Sequence, residues 1–203
     1  LSVLGQFGTT GGVDYRYVSA PAALPGDRQV SLDWSVSDFG PGAAITDYVV
    51  QQSTNCGAWS TIRDGKSIAT SYTVGRLVNG SSYRFRIAPL RGAAQGPWTT
   101  SVAATPRSAP SAPSGLKVTT GVRSVTLTWA APFDGGSTIT DYVVQYSTDR
   151  KTWITITDGV STATTATVTG LTPRVTYRFR VAAVNVVGTG SFSGIVSGVP
   201  SGP

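Results

Sequence analysis

The residue types that carry most enzymatic chemistry are scarce in this sequence. Its 203 residues include no histidine and a single cysteine, Cys56, which lies in a turn-like segment. Without histidine, neither a Ser-His-Asp triad nor a Cys-His pair can be assembled, and a zinc ion would find one thiolate and no imidazole. All ten acidic residues are aspartates, and the sequence holds no Asp-x-Asp-x-Asp-Gly calcium loop. The sequence therefore predicts that this is not an enzyme and that it has no catalytic residues, no metal site and no cofactor.

Binding through aromatic rings and loop side chains is the second kind of chemistry to consider. Trp59, Trp98 and Trp153 lie close to predicted turns, where flat rings with polar neighbours could stack on sugars. Trp59 and Trp153 occupy the same position of an internal repeat, which favours packing over ligand binding. Loops carry a large share of binding residues, and we take four residues as the candidates for binding a partner: Phe39, Arg91, Gln95 and Trp98.

The charged residues make the chain basic, with a net charge of +6. An excess of positive charge is a common feature of proteins that bind nucleic acid. Arginine nevertheless alternates with aromatic residues in segments 83–86 and 177–180, which both read Tyr-Arg-Phe-Arg, as it does on the solvent side of a β-strand. We therefore predict no specific nucleic-acid partner, while diffuse attraction to acidic surfaces remains open.

The strongest pattern is an internal repeat. The sequence Asp-Tyr-Val-Val-Gln occurs at 47–51 and again at 141–145, and the two Tyr-Arg-Phe-Arg segments keep the same offset of 94 residues. Trp34 and Trp129 are matched in the same way, one residue further apart. Self-similarity that holds one offset over many matches indicates two copies of one structural unit.

Each copy has the pattern of short strands joined by turns. Residues 30–34 and 125–129 alternate apolar and polar side chains, as a strand does when one face is buried and the other is wet. Turn dipeptides such as Asn79-Gly80 and Asp158-Gly159 separate these runs. The sequence therefore predicts an all-β chain of two antiparallel immunoglobulin-like β-sandwiches in tandem.

These residues resemble the fibronectin type III domain, and the second copy is similar to its bacterial examples. The resemblance extends over nearly the whole chain and rests on the order of tryptophan, tyrosine, leucine and the Tyr-Arg-Phe-Arg strand in each copy. It implies that the second-strand tryptophan, Trp34 or Trp129, packs in the core. It also implies that the tyrosine that begins each Tyr-Arg-Phe-Arg segment, Tyr83 or Tyr177, forms a tyrosine corner, its hydroxyl bonded back to the backbone. The expected structural core residues are Trp34, Tyr48, Tyr83, Trp129, Tyr142 and Tyr177.

The repeat also predicts the domain boundaries. Residues 1–17 form an N-terminal arm or the end of a preceding domain, residues 18–106 the first domain, residues 107–113 a proline-rich linker, and residues 114–203 the second domain. The linker prolines favour an extended, semi-rigid spacer. Pro89 replaces an alanine of the second copy and should end its strand early, because proline cannot donate to a sheet ladder.

We expect a non-catalytic structural, spacer or binding module of a larger secreted or cell-surface protein, whose partners are the other domains of its parent chain. The sequence has no apolar stretch of the roughly 20 residues that span a bilayer, so we predict no transmembrane segment. Two alternatives remain open. One is a self-assembling subunit of a filament or virion surface that uses the N-terminal arm to bind copies of itself. The other is an adhesin or carbohydrate-binding module that recognises a surface protein or polysaccharide.

Overall fold

The structure, a computed structural model, describes residues 17–37 and 44–203. Within these ranges the chain forms β-strands and no helix. It divides into two compact units with the main boundary between Thr105 and Pro106, and the short segments Gly26–Arg28 and Val78–Gly80 group with the second unit. The predicted all-β fold with two sandwiches is confirmed. Residues 1–16 of the predicted arm and the candidate Phe39 lie outside the described residues.

The described part of the first unit contains ten strands in chain order. A three-stranded sheet has the order β2-β3-β7, and a five-stranded sheet has the order β10-β8-β5-β6, with β9 also paired to β8. A separate short pair joins β1 to β4. The strands are β1 (Tyr17–Val18), β2 (Ala22–Gly26), β3 (Gln29–Asp33), β4 (Val36–Ser37), β5 (Asp47–Thr54), β6 (Ser60–Thr61), β7 (Ser71–Val74), β8 (Tyr83–Arg91), β9 (Ala94–Gln95) and β10 (Val102–Ala104).

The second unit repeats the two main sheets. One has the order β11-β12-β15, and the other has the order β14-β13-β16-β17, with β18 also paired to β16. All these strand pairs are antiparallel. The strands are β11 (Ser114–Gly121), β12 (Ser124–Ala130), β13 (Asp141–Ser147), β14 (Ile154–Thr155), β15 (Thr165–Val168), β16 (Tyr177–Asn185), β17 (Gly188–Thr189) and β18 (Val196–Gly198).

Alternation along the strands builds a separate core in each unit. In β3, Val30 and Leu32 are fully buried while Gln29 and Asp33 are exposed, so the period-two pattern places one face inward. Burying such side chains is the main source of stability, at about 25 cal/mol per Å² of apolar surface. The six predicted core aromatics are all buried, with 4 to 7% of their surface exposed: Trp34, Tyr48, Tyr83, Trp129, Tyr142 and Tyr177.

The two core tryptophans have matching surroundings. The Trp34 ring meets Tyr48 edge-on with 5.3 Å between ring centroids, and Trp129 meets Tyr142 in the same way at 5.2 Å. Such edge-to-face contacts between buried rings are favourable beyond the area that they bury. The two units are therefore copies of one packing arrangement as well as of one sequence pattern.

The second unit also contains the tyrosine corner. The hydroxyl oxygen of Tyr177 accepts a hydrogen bond from the backbone N–H of Thr172 at 3.1 Å. Because the ring of Tyr177 is buried, this bond satisfies its polar end and fixes the loop that leads into β16.

Pro89 does not end its strand, contrary to the expectation from its missing N–H. Strand β8 has nine residues, the same number as β16. The carbonyl of Pro89 accepts the N–H of Gly96 at 2.8 Å. Since the N–H and C=O of one residue point to the same side of an antiparallel strand, the missing donor faces Gly96 and leaves the ladder between β5 and β8 intact. The register pairs Tyr48 with Pro89 within that ladder.

The proline-rich segment before β11 is bonded to the second unit. Ser108 donates its N–H to the carbonyl of Gly135 at 2.9 Å, and Ser111 donates to Phe133 at 2.9 Å. The buried side-chain amide of Asn185 donates to the carbonyl of Ser108 at 2.8 Å and to that of Asp134 at 2.8 Å. Much of the segment predicted as a spacer is thus part of the second folded unit.

Candidate interaction surface

The described residues form no cluster of metal-ligating side chains. In the ranges 17–37 and 44–203, no three His, Cys, Asp or Glu side chains lie close enough to hold a metal ion. Cys56 is an exposed free thiol in the turn after β5. Within the same part of the chain, no helix has the length and hydrophobicity to span a bilayer.

One pair of carboxyl groups interacts in the first unit. Burial raises the pKa of Asp64 above its ordinary value of 3.8, and the nearby charge of Asp47 raises it further, against a backbone hydrogen bond that lowers it. The Oδ1 atom of Asp47 accepts the backbone N–H groups of Tyr48 and Ser67 at 2.8 and 2.9 Å. Asp47 therefore braces a loop, and the pair does not resemble an acid–base site with both carboxyls free.

A stack of two rings and a cation covers the outer face of the large sheet in the first unit. The guanidinium of Arg86 in β8 lies 4.2 Å from the ring centre of Trp59 and 4.5 Å from that of Trp98. Its Nε and Nη2 atoms both donate to the Oε1 atom of Gln51 on β5, at 3.0 and 2.8 Å. Arginine suits this position because its planar group can stack and donate a fork of hydrogen bonds at once.

The second unit repeats this stack. The guanidinium of Arg180 lies 4.0 Å from the ring centre of Trp153 and 4.1 Å from that of Phe192, and it donates twice to the Oε1 atom of Gln145 at 2.9 and 2.7 Å. We call the two arrangements the ring–arginine stacks. Both are built from half-buried side chains that join three segments of the chain.

The structure places three of the four candidate binding residues, Arg91, Gln95 and Trp98. Arg91 and Gln95 lie on the hairpin of β8 and β9, where Gln95 pairs with Leu90, and Gln95 is exposed while Arg91 is half-buried. Trp98 is instead held in the first ring–arginine stack. The binding roles of these residues, like that of Phe39, stay predictions.

Sequence reasoning placed the alternate arginines on the outside but missed the stacks. The signal was available, because Trp59, Arg86 and Trp98 have counterparts in Trp153, Arg180 and Phe192 at one offset of 94 residues. A cation that recurs together with two aromatic positions in each copy is the pattern that would have indicated the contact.

Comparison with known proteins identifies the domain type. Residues 111–199 match the family model of the fibronectin type III domain. The second unit is therefore a fibronectin type III domain. The first unit shares its sheet arrangement, its core tryptophan–tyrosine contact and its ring–arginine stack.

Several curated proteins are similar to parts of the chain. The host cell factor homolog hcf-1 of Caenorhabditis elegans is 30% identical over 123 residues, which are 60% of this chain and 13% of that protein. The fibronectin type-III domain-containing protein 3a of Gallus gallus is 26% identical over 211 residues, which cover 96% of this chain and 17% of that protein. The chain thus spans less than a fifth of the length of these relatives.

A solved structure of the chicken CNTN1 FN1–FN3 domains also aligns with the chain. The alignment has a TM-score of 0.48 and 21% sequence identity, and it covers 91% of this chain and 66% of that one.

Proposed function

We propose that this chain is a non-catalytic spacer or binding module within a longer secreted or cell-surface protein, of the kind found in bacteria. The observation that supports it best is the duplication of the scaffold. Asp47 and Asp141 brace the same loop with the same two backbone bonds in each copy. Since the stacks recur as well, the polar side chains that both copies keep serve the fold itself.

The attachment of the proline-rich segment supports a spacer role in particular. Bonds from Ser108, Ser111 and Asn185 hold this segment on the second unit. A segment bound in this way contributes less free chain between folded parts than an open linker of the same length. Small-angle scattering of the chain beside an Asn185→Ala variant measures this contribution. The proposal expects a larger spread of end-to-end distances in the variant, and an unchanged spread would count against it.

A carbohydrate-binding module is the second candidate, because Trp59 and Trp98 keep part of their rings exposed. In that role the ring faces would have to meet a sugar, whereas Arg86 already occupies one face of each ring. Pull-down with insoluble polysaccharides decides between the two functions. Binding that is lost in Trp98→Ala and kept in Trp98→Phe would replace the spacer proposal by a sugar-binding one.

The self-assembly alternative depends on residues 1–16, which lie outside the described residues. Light scattering of the chain with and without residues 1–17 tests it. A monomer in both cases would remove the alternative and leave the spacer proposal in place.

A further inference from the structure

Five cationic side chains gather at one end of the second sandwich. Arg123 lies in the turn between β11 and β12, Arg150 and Lys151 lie in the loop after β13, Arg174 lies in the loop before β16, and Arg178 is the second residue of β16. We call this group the basic end. Arg178 is half-buried, and the other four side chains are exposed.

Hydrogen bonds show that these loops lie together. The N–H of Leu171 donates to the carbonyl of Arg123 at 3.0 Å, which joins the loop before β16 to the turn between β11 and β12. The guanidinium of Arg178 donates through Nη1 to the carbonyl of Thr148 at 3.2 Å, which adds the loop after β13. Three segments that are distant in sequence therefore present their cations on one surface.

The loops of the basic end contain almost no negative charge to offset these cations. Asp149 is the one acidic residue in segments 121–124, 147–152 and 169–178. Its Oδ1 atom accepts the hydroxyl of Ser147 at 2.9 Å and the backbone N–H groups of Lys151 and Thr152 at 2.8 Å each. That carboxylate is held by its own turn, so these segments carry four exposed cations and the half-buried Arg178 against one fixed negative charge.

The fold does not require three of these five charges, although the first copy keeps arginine at the positions of Arg123 and Arg178, as Arg28 and Arg84. At the positions that correspond to Arg150, Lys151 and Arg174, the first copy has Cys56, Gly57 and Gly80. These three neutral residues show that the corresponding loops of the first unit form without a cation at those positions.

Three of these arginines have a backbone conformation that is unfavourable for an arginine residue. Arg123, Arg150 and Arg174 have φ angles of 50°, 66° and 61°, in the left-handed region that side chains other than Gly, Asn and Asp rarely adopt. Gly80, the counterpart of Arg174, has a φ of 84°. Arg174 thus stands where the first copy has the glycine that fits this backbone better, which favours a role for the Arg174 side chain.

We propose that the basic end binds an acidic polysaccharide, whose sulfate or carboxylate groups accept hydrogen bonds from the arginine forks. Arginine offers paired donors that match such oxyanions. In segments 121–124, 147–152 and 169–178 the one aromatic residue is Tyr177, whose side chain is buried and cannot stack on a nucleic-acid base. The described part of the chain also has no helix to enter a major groove. This inference adds a partner to the proposed module, and a spacer role stands without it.

Titration of the whole chain with fluorescent dextran sulfate tests the proposal. The triple variant Arg150→Asn, Lys151→Gly and Arg174→Gly removes three charges with residues that tolerate the left-handed backbone. We expect its affinity to fall at least tenfold, and we expect wild-type binding to weaken steeply between 50 and 200 mM salt, as it does for polyanions that release counterions. Neutral dextran should not bind.

The matched control removes three exposed charges elsewhere, in Arg63→Gln, Lys66→Gln and Arg84→Gln. At 100–150 mM salt the control should keep its affinity within about twofold, because screening confines electrostatic attraction to roughly 8–10 Å at those concentrations. An equal loss in both triple variants would overturn the proposal, since net charge and not the basic end would then drive binding.

Further outcomes of these measurements also test the proposal. Absence of binding to dextran sulfate at 50 mM salt would overturn it, as would tighter binding to a 20-base-pair DNA duplex or to anionic vesicles. If the triple variant melts early, the single variant Arg174→Gly replaces it, with an expected loss of about threefold. Amide shifts confined to segments 121–124, 148–152 and 171–176 on titration with dextran sulfate would support the assignment directly.

Discussion

Asp149 organises the turn after β13, and its pKa reflects those contacts. Hydrogen bonds from the backbone N–H groups of Thr152 and Lys151, and then from the hydroxyl of Ser147, lower the pKa of Asp149 from 3.8 to about 2. The first unit has Asn55 at this position, in a left-handed conformation with a φ of 49°. The two turns are therefore held differently although the strands on either side correspond.

The lowered pKa of Asp149 predicts how acid affects the second unit. Because the folded state favours the charged carboxylate, the stability that it contributes is present above pH 3.8 and is lost as the pH falls towards 2. We expect Asp149→Ala to lower the melting temperature at pH 7 and to leave it unchanged below pH 2. Carboxyl NMR titration provides the internal control, since Asp64 should titrate above 3.8 in the same sample. A midpoint for Asp149 near 3.8 would contradict the structure.

Arg76 predicts a stabilising substitution. Its φ is 60°, while its counterpart in the second copy is Gly170 with a φ of 73°. The substitution Arg76→Gly relieves the strain of the left-handed conformation, but glycine loses more conformational entropy on folding. The net result should be an increase of about 0.5–1 kcal/mol in the free energy of unfolding, measured by chemical denaturation. The reverse exchange, Gly170→Arg, should destabilise by a similar amount because no neighbouring atom obstructs a side chain there. A loss of stability in Arg76→Gly, or a gain in Gly170→Arg, would rule out this account.

At the scale of the strands, the ring–arginine stacks tie together segments that share few backbone bonds. In the first unit the short β6 pairs with β5 at two positions, and Trp59 immediately precedes it. Trp98 lies in the segment between β9 and β10. Arg86 on the central strand β8 joins both rings, so the stack secures the outer edges of the sheet where the ladder is short.

The stack predicts unequal effects for two arginines on one strand. We expect Arg86→Ala to destabilise the first unit by about 1–2 kcal/mol, because two cation–ring contacts and a paired hydrogen bond are lost. Arg84→Ala is the matched control, since Arg84 is exposed on the same strand, and it should change stability by less than about 0.5 kcal/mol.

Conservative variants separate geometry from charge in the same stack. Arg86→Lys keeps the charge but loses the planar fork and should recover little of the lost stability. Trp98→Phe should be tolerated, as Phe192 fills that position in the second unit. Urea unfolding followed by tryptophan fluorescence measures all four variants, and full stability of Arg86→Lys would show that charge alone matters.

The strands and the core could be predicted from the sequence, because alternation at a period of two depends on neighbouring residues alone. Features that depend on which segments meet were harder to predict. Whether Pro89 ends its strand depends on the side of the strand to which its missing N–H would point. The five cations of the basic end form no run, so their proximity becomes visible only once three loops are seen to share hydrogen bonds.

At the scale of the whole molecule, each unit has its own closed set of buried side chains. Phe85 and Phe179 occupy corresponding places in the two cores, and each is fully buried. The residues of one cluster do not recur in the other.

Separate cores predict separate effects of core mutations. Phe179→Ala should destabilise the second unit by about 3–5 kcal/mol, the usual result of removing a buried ring. Amide NMR resonances of the core of the first unit, such as those of Val30 and Leu32, should keep their native shifts. Phe85→Ala provides the mirror experiment, and simultaneous loss of both sets of resonances in either variant would show that the chain unfolds as one cooperative body.

The hydrogen bond from Asn185 to the proline-rich segment determines where a fragment that contains the second domain should begin. A fragment begun at residue 114 would take away the carbonyl of Ser108 and leave the buried amide of Asn185 with Asp134 and Ser137 alone. It would also uncover Gly190, whose α-carbon packs too closely against Pro110 to admit a side chain. The autonomous piece therefore begins several residues before its first strand, near Pro106, and grafts or fusions that respect strand boundaries alone would cut into folded structure.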